Sequence, residues 1–305
     1  MDAIYSVPQN NHGQELLDRG TPLFPCAIYD RDIREYITGE IPPHWHHEIE
    51  IFLLIDGSAH ISLADTEFDL QSGDGCLINA DVLHGVSCPF DSGCHYHSIV
   101  FDPCIIFGAP GSAYDLLYVR PFMNQGGPAW LFQSGGQTCG QVITALFHTA
   151  FHACENEADG YEFIVRDALS RIFLLLKENL QGTPGKQSSY QEHRMKQMLS
   201  WLDEHYMEQV SISQLADAAG ICVRECQRSF SDMLHTTPMK YLARRRVTMA
   251  AELLVSTDLA VSEIGLSCGF DNPSYFAKQF KHITGLTPRS YRQKYHTRYE
   301  EFQQA

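Results

Sequence analysis

The chain repeats itself in its last hundred residues, and the repeat limits what that part can fold into. Ile212-Ser213-Gln214-Leu215 aligns with Val261-Ser262-Glu263-Ile264, and Gly220-Ile221 with Gly269-Phe270, at an offset of 49. After a one-residue insertion, Arg228, Phe230 and Thr237-Pro238-x-x-Tyr241 align with Lys278, Phe280 and Thr287-Pro288-x-x-Tyr291 at an offset of 50. Each copy reads as a short helix, a glycine turn, a second helix and a Thr-Pro stop. That is a helix-turn-helix in tandem. Two such units joined by one rigid helix suit two successive major-groove segments on one side of a duplex.

The second copy, Gly269 to Tyr291, carries the most detail. Asp271 or Asn272 can cap a helix, and Pro273 fits its first turn, where no amide bond is lost. Phe276 and Phe280 are four apart and share an inward face. Ser274, Lys278 and Lys281 lie on the other face, polar and partly cationic, as a groove-facing helix requires. An ordinary amphipathic surface helix would share much of this pattern. The repetition favours the DNA-reading interpretation. Upstream, His193 to Tyr206 reads as an opening helix, and Ser211 or Ser213 starts the next one. Tyr241 to Val255 reads as the connecting helix, with Leu242, Val247, Ala250, Leu253 and Leu254 on its buried stripe. Arg246 is expected to tie the two halves together, and the tail after Arg298 to fray.

Residues 190 to 295 resemble the DNA-binding region of the AraC/XylS family of bacterial transcription regulators. SISQLADAAGI, YLARRRVTMAAELL and VSEIGLSCGFDNPSYFAKQFKHITGLTPRSYR carry the likeness. The resemblance implies sequence-specific binding of double-stranded DNA at promoter or operator half-sites, with a sensing domain upstream. It also implies a cytoplasmic homodimer, which would contact RNA polymerase if it activates. Helical phase and the family pattern together nominate Arg224, Gln227 and Arg228 in the first reading helix. In the second they nominate Pro273, Ser274, Tyr275 and Lys278, with Lys281 on phosphate. Arginine suits guanine O6/N7 and glutamine suits adenine N6/N7. Where the family usually has a serine cap and a leucine, this chain has Cys222 and Cys226. Cys226 reads as a small buried apolar residue, and a redox role for the pair is the alternative.

A net charge of −15 looks wrong for a DNA binder until the chain is divided. In residues 1–189, 8 lysines and arginines stand against 24 acids, a balance of −16. In residues 190–305, 14 stand against 13, a balance of +1. The acidic front is expected to be repelled by phosphate. Local cations then have to make the DNA contacts: Arg224, Arg228, Arg244, Arg245, Arg246, Lys278 and Lys281. Ten cysteines, with no C-x-x-C pair, read as reduced thiols. The opening MDAIYSVPQNNHGQE has neither the basic start nor the apolar core of a secretory signal. No apolar run is long enough to predict a membrane span.

The front of the chain reads differently. Residues 1–22 read as a mobile or docking arm. From Phe24 to Phe101, short segments such as IEIFLLI, AHISLA, EFDLQ, GCLIN and HSIVF alternate with glycine turns, which predicts an antiparallel sandwich or small barrel. His44 and His46 are two apart and share a strand face, with Glu50 in reach and His84 further on. Three imidazoles and a carboxylate form a set suited to Zn, Ni, Fe or Mn. The same residues could instead line a ligand pocket or brace neighbouring loops. The arrangement resembles the cupin family, whose first motif, H-x-H-x3-E-x6-G, fits His44 to Gly57 without mismatch. The second motif keeps Gly73 and His84 but has Asn79 where proline is usual and Asp81 where glycine is, which bears on where His84 points. His47 is expected to face away from the cavity. His95 and His97, two apart on the last strand, could face it but read more readily as ordinary strand residues.

Residues 103 to 133 read as an irregular stretch folded over the barrel mouth. Two helices follow. QTCGQVITALFHTAFHAC spaces Val142, Ile143, Leu146, Phe147 and Ala150 helically. YEFIVRDALSRIFLLLKENL does the same for Phe163, Ile164, Leu169, Ile172, Phe173 and Leu176. Both are more apolar than one buried face needs, which predicts packing on the sheet and self-association. GTPGKQSS, 182–189, reads as a linker.

The expected architecture is therefore α+β and multidomain. A cupin-like antiparallel β-barrel with a helical pair (1–181) is followed by a linker and an all-α tandem helix-turn-helix domain (190–305). The expected function is a non-enzymatic regulator whose front domain senses a small-molecule effector, with a sugar as the first expectation from family habit. Two alternatives remain open: a cupin metalloprotein or metalloenzyme fused to a DNA-binding domain, and a regulator whose barrel only dimerises. A divalent transition metal in the barrel is the one cofactor for which ligands are at hand.

Overall fold

One strand does most of the organising in the front half of the computed structural model. The structure describes residues 20–21, 23–63, 66–88, 93–125, 127–133, 138–179, 190–234 and 236–303. Strand β3, Ile49–Leu63, is 15 residues long and changes partners midway. Its first half pairs antiparallel with β5 (Asp74–Ile78) and β7 (Cys94–Phe101), so that Glu50 lies opposite Ile78 on one side and Val100 on the other. A register shift falls between Leu54 and Asp56. The second half then pairs with β4 (Glu67–Gln71) and β6 (His84–Ser87). β1 (Cys26–Asp32) adds to β7, and β8 (Ala129–Gln133) to β5.

From edge to edge the strands run β1-β7-β3-β5-β8. The antiparallel sheet is as expected, but among the described residues it is not closed into a barrel. The partner change within β3 splits the pairing between its two halves, so the strands do not succeed one another round a ring. β8 lies inside the stretch expected to be irregular. Its five-residue apolar run, AWLFQ, is too short for periodicity to declare a strand. That stretch also holds α1 (Cys104–Phe107), a π-helical turn at Asp115–Val119 and α2 (Arg120–Gln125).

Alternation along the strands separates two kinds of chemistry. Ile49, Ile51 and Leu53 of β3, with Leu77, Ile99 and Phe101, face the helices α3 (Thr138–Asn156) and α4 (Tyr161–Asn179). There they form one core with Ile143, Phe147, Phe151, Leu169, Ile172, Phe173 and Leu176. Phe163 and Ile164, in phase with that stripe by sequence, are exposed instead, as are Val142 and Leu174. The opposite sheet face carries Glu50 and Ser98, and Phe52 stacked on Tyr96 at 4.8 Å.

The turn before β6 resolves the departure from the cupin pattern. Asn79, in the proline position, is buried and donates through Nδ2 to the carbonyls of Met123 (2.8 Å) and Gly127 (3.1 Å). Asp81, in the glycine position, keeps the left-handed backbone a glycine would adopt, at φ 60°. Aspartate tolerates that region better than most residues. Its amide donates to the His46 carbonyl at 2.8 Å, which ties the turn to the histidine strand.

The described chain divides into two compact units. One comprises the residues up to Ile33 and from His44 through α4. The other comprises Arg34–Pro43 and the helices from Tyr190 onward. The expected linker, 182–189, and most of the expected arm, 1–22, lie outside the described residues. No helix among the described residues is long and apolar enough to cross a membrane.

The helical unit repeats its turns and its buried ring contacts. α5 (Tyr190–His205) opens it. α6 (Ile212–Ala218) and α7 (Val223–Leu234) form the first helix-turn-helix, and α9 (Val261–Ser267) and α10 (Pro273–Thr284) the second. In the turns, Ile221 N–H donates to Ala216 O and Phe270 N–H to Gly265 O, each at 3.0 Å. Gly220 and Gly269 both have positive φ. A Cβ on Gly269 would lie 2.5 Å from Tyr206 O, so only glycine fits there. Phe230 meets Tyr241 edge-on at 5.9 Å, and Phe280 meets Tyr291 edge-on at 5.3 Å.

The Thr-Pro pairs start helices rather than only ending them. Thr237 Oγ1 caps α8 (Pro238–Ser256) through Lys240 N–H, and Thr287 Oγ1 accepts from Ser290 N–H at the head of α11 (Pro288–Gln303). Proline's missing amide costs nothing at that position. α11 runs past Arg298 to Gln303, where fraying was expected.

Phe280 is fully buried in the second motif's core, so Phe280→Ala should cost about 3–5 kcal/mol in urea unfolding. At the β5–β6 turn, Asp81→Ala should lower stability by about 1–2 kcal/mol, the left-handed penalty. Asp81→Gly should stay within about 0.5 kcal/mol of the parent in the same measurement.

Candidate functional site

His44 at the end of β2 (Glu40–His44), His46 just beyond it, Glu50 on β3 and His84 at the start of β6 converge, and all four are buried. Their ligating atoms lie within 4.8 Å of one another. Glu50 Oε2 stands 3.3 Å from His46 Nε2 and 3.2 Å from His84 Nε2. Its other oxygen accepts from Ser98 Oγ at 2.6 Å. The His44 and His84 rings are 4.2 Å apart. Burial works against ionising Glu50, yet the hydrogen bonds from His46 and His84, with their charge, hold its carboxyl well below the ordinary glutamate range.

The histidine ring positions are fixed from behind. His46 Nδ1 faces Glu48 O at 3.0 Å, and His84 Nδ1 faces Val82 O at 2.8 Å. A carbonyl only accepts, so each Nδ1 carries the proton. Each Nε2 is left pointing at a carboxylate, which is comfortable only with a second proton or a shared cation between them. Backbone-anchored Nδ1–H groups with converging Nε2 atoms are also how proteins orient imidazole ligands. The residues therefore fit a divalent transition metal held by nitrogen and oxygen.

All four predicted cluster residues are brought together, His84 included. His47 faces out and pairs with Asp81 at 2.6 Å. Ser98, which completes Glu50's hydrogen bonding, was not foreseen. Its signal was a lone hydroxyl in the apolar run HSIVF. His95 and His97 do not join the cavity, because odd positions of β7 point toward the helices.

In the helical unit, the second helix of each motif turns its apolar positions inward. Cys226 and Phe230 of α7 are buried, as are Phe276 and Phe280 of α10. Burial pushes the Cys226 thiol up to about 11, which makes it a poor redox group. Cys222 is exposed. Arg224, Gln227 and Arg228 are exposed on α7, and Pro273, Ser274, Tyr275, Lys278 and Lys281 are exposed on α10. Of the two expected caps, Asn272 serves: its Oδ1 accepts from Ser274 N–H at 2.8 Å and Tyr275 N–H at 3.1 Å.

Three of the expected phosphate-binding arginines are already engaged, and the first of them, Arg244, is paired with Glu40. Arg245, on α8, is largely buried and paired with Asp203 of α5 at 2.8 Å. Arg246 donates to Tyr206 O and Glu208 O at 2.6 Å each and lies over the Phe270 ring. It fastens the end of α5 to the second motif, the bracing role expected of it, and cannot also serve as a free phosphate contact. Run position alone could not separate these arginines, because three in a row point to three different sides of a helix.

Comparisons with known proteins agree with this division. Residues 33–202, more than half of the chain, match the family described as AraC-like ligand binding domain, and residues 215–294 match a helix-turn-helix domain. The HTH-type transcriptional regulator YdeC of Bacillus subtilis (strain 168) is 30% identical over 280 residues, 92% of this chain and 95% of its own length. The HTH-type transcriptional activator RhaS of Yersinia pestis (strain Pestoides F) is 26% identical over 253 residues, covering 82% of this chain and 89% of its own. Among solved structures, the DNA-binding domain of AdpA in complex with a target DNA is 30% identical at a TM-score of 0.33. That match covers 36% of this chain and 96% of the AdpA chain. With an AraC-like ligand-binding domain ahead of a DNA-binding tandem helix-turn-helix, this chain belongs to the AraC/XylS family of transcription regulators and is not an enzyme.

Proposed function

We propose that this regulator reads two successive major-groove segments with α7 and α10 and is controlled by a small molecule bound at the His44/His46/Glu50/His84 cluster. One observation carries the reading half. The residues nominated by helical phase are exposed on the second helix of each motif, while Cys226, Phe230, Phe276 and Phe280 face inward. Arg224, Gln227 and Arg228 supply hydrogen-bonding side chains for base edges on α7. Pro273, Ser274 and Tyr275 supply shape contact on α10, with Lys278 and Lys281 supplying charge. α8, 19 residues long, spans roughly 28 Å at the helical rise per residue. That is close to the spacing of about 34 Å between successive major-groove faces.

The effector is expected to be an oxygen-rich molecule such as a sugar or a sugar derivative. Such a molecule has hydrogen-bonding groups to match a cluster of imidazoles and a carboxylate, directly or through a divalent metal on the same four residues. Binding would act by population shift, favouring one arrangement of sensor and reader over another. The protein would work as a cytoplasmic homodimer, contacting RNA polymerase where it activates. Phe163, Ile164 and Leu174, exposed on α4, are the apolar surface available for that pairing.

Selecting bound sequences from a randomised duplex pool tests the assignment. Arg228→Ala should relax preference at one base position and cost about 1–3 kcal/mol on the selected site, whereas Lys281→Ala should weaken all sequences alike and lower the salt slope by about 1. Equal weakening across all sequences by Arg228→Ala would make that arginine a phosphate contact. For the dimer, Phe163→Asp should turn a micromolar dimer into a monomer in sedimentation velocity without changing the circular dichroism spectrum.

A further inference from the structure

Beyond the core, the helix-facing side of the sheet changes character along its edge. β1 and β7 run antiparallel, and their paired positions go from Cys26 and Phe101 to Ile28 and Ile99, then to Asp30 and His97. His95 follows two residues along on the same face. Asp30 Oδ1 lies 2.5 Å from His95 Nε2 and 3.5 Å from His97 Nε2, and the ligating atoms of the three residues lie within 4.8 Å of one another. Helix α3 brings more imidazole to the same edge. His148 lies 6.4 Å from His97 between ring centroids, and His152, one turn on, lies 6.1 Å from His148.

An aspartate–histidine pair would account for Asp30 and His95 alone. It would not account for His97. That ring is mostly buried, and Phe151 stacks on it at 4.2 Å with planes 5° apart, which fixes its plane. Its Nε2 is the atom turned toward Asp30, at 3.5 Å, while its Nδ1 is buried without a hydrogen-bond partner among the described residues. Two histidines two apart on a strand share a face, and two histidines four apart on a helix share a face. Here both pairs meet at one edge, with a carboxylate beside them.

We propose that Asp30, His95 and His97 form a second divalent-metal site, of the zinc class, on the outer edge of the sheet, with His148 beside it as a further imidazole. Nitrogen-rich, single-carboxylate sets favour Zn(II), Ni(II) and Cu(II) over Mg(II) and Ca(II). The site differs from the buried cluster in access. Asp30 and His95 are partly open to solvent, so an ion can exchange there. It also joins β1 and β7 next to α3, so occupancy would tie the sheet edge to the helical pair. The present 2.5 Å contact is shorter than two ligands of one ion normally keep, so binding an ion requires the half-exposed Asp30 carboxylate to move away from His95.

The test uses the full-length protein, Zn(II) alone as the probe, and metal content after equilibrium dialysis. Stoichiometry is compared in the parent, in Asp30→Asn, in His95→Gln/His97→Gln, and in each combined with His84→Ala. The expected result is one Zn(II) per chain that survives His84→Ala, is lost in His95→Gln/His97→Gln, and binds at least tenfold more weakly in Asp30→Asn. Substitution with Co(II) should give visible absorption bands that disappear with the same substitutions. Circular dichroism confirms that each variant is folded, and the exposed Asp30→Asn keeps the test open if His97→Gln disturbs packing. A parent that binds no zinc overturns the site, as does bound zinc that only His84→Ala removes.

Discussion

The front unit rests on one constraint: successive side chains of a strand point to opposite faces. Along β3 that alternation sends Ile49, Ile51 and Leu53 into the core with α3 and α4, and turns Glu50 and Phe52 the other way. Along β7 it does the same for Ile99 and Phe101 against Ser98. A one-residue slip of β3 would turn Glu50 toward the apolar core under the helices and away from His46 and His84. The polar cluster on one face and the apolar core on the other are a single decision of register.

In the helical unit the corresponding constraint is the closeness of the turns. Gly269 lets the backbone pass within contact of Tyr206 O, and Arg246 locks the same place by donating to Tyr206 O and Glu208 O. That bracing holds the second motif against α5. The buried Arg245–Asp203 pair holds α8 to the same helix. Removing one partner of such a pair would leave an uncompensated buried charge, so the two arginines maintain geometry instead of contacting phosphate. Arg224, Arg228, Lys278 and Lys281 are exposed on α7 and α10, where the proposed DNA contacts would draw their charge. This is how a unit with a formal balance of +1 can present a usable positive surface.

The acidic front carries the chemistry of sensing. Glu50 stays ionised in a buried place because His46, His84 and Ser98 all point at it. A cluster built this way is pre-organised around a negative charge and two anchored imidazoles, which suits a cation or a hydrogen-bonding group better than an apolar one. The two parts of the chain differ in charge accordingly, −16 over residues 1–189 against +1 over residues 190–305.

Much of this was legible in the sequence because it depends on local periods. The 49- and 50-residue offsets, the inward Phe276 and Phe280, the cap at Asn272 and the H-x-H-x3-E spacing are short-range patterns, and helix and strand geometry turn them directly into faces. Other features were not legible, because they depend on which segments meet. The partner change within β3 left the sheet open where a barrel was expected. AWLFQ became a strand only by finding β5. Three adjacent arginines found three different partners, Glu40 for Arg244, Asp203 for Arg245 and the Tyr206 carbonyl for Arg246, only through packing of the helical unit. Asp81 kept a glycine's backbone because its amide has the His46 carbonyl to donate to. The sequence by itself determined most of the elements, the repeat and the candidates for reading or ligating. Tertiary packing alone decided which of those residues are spent on holding the fold and which remain available, because burial and pairing belong to contacts between distant parts of the chain.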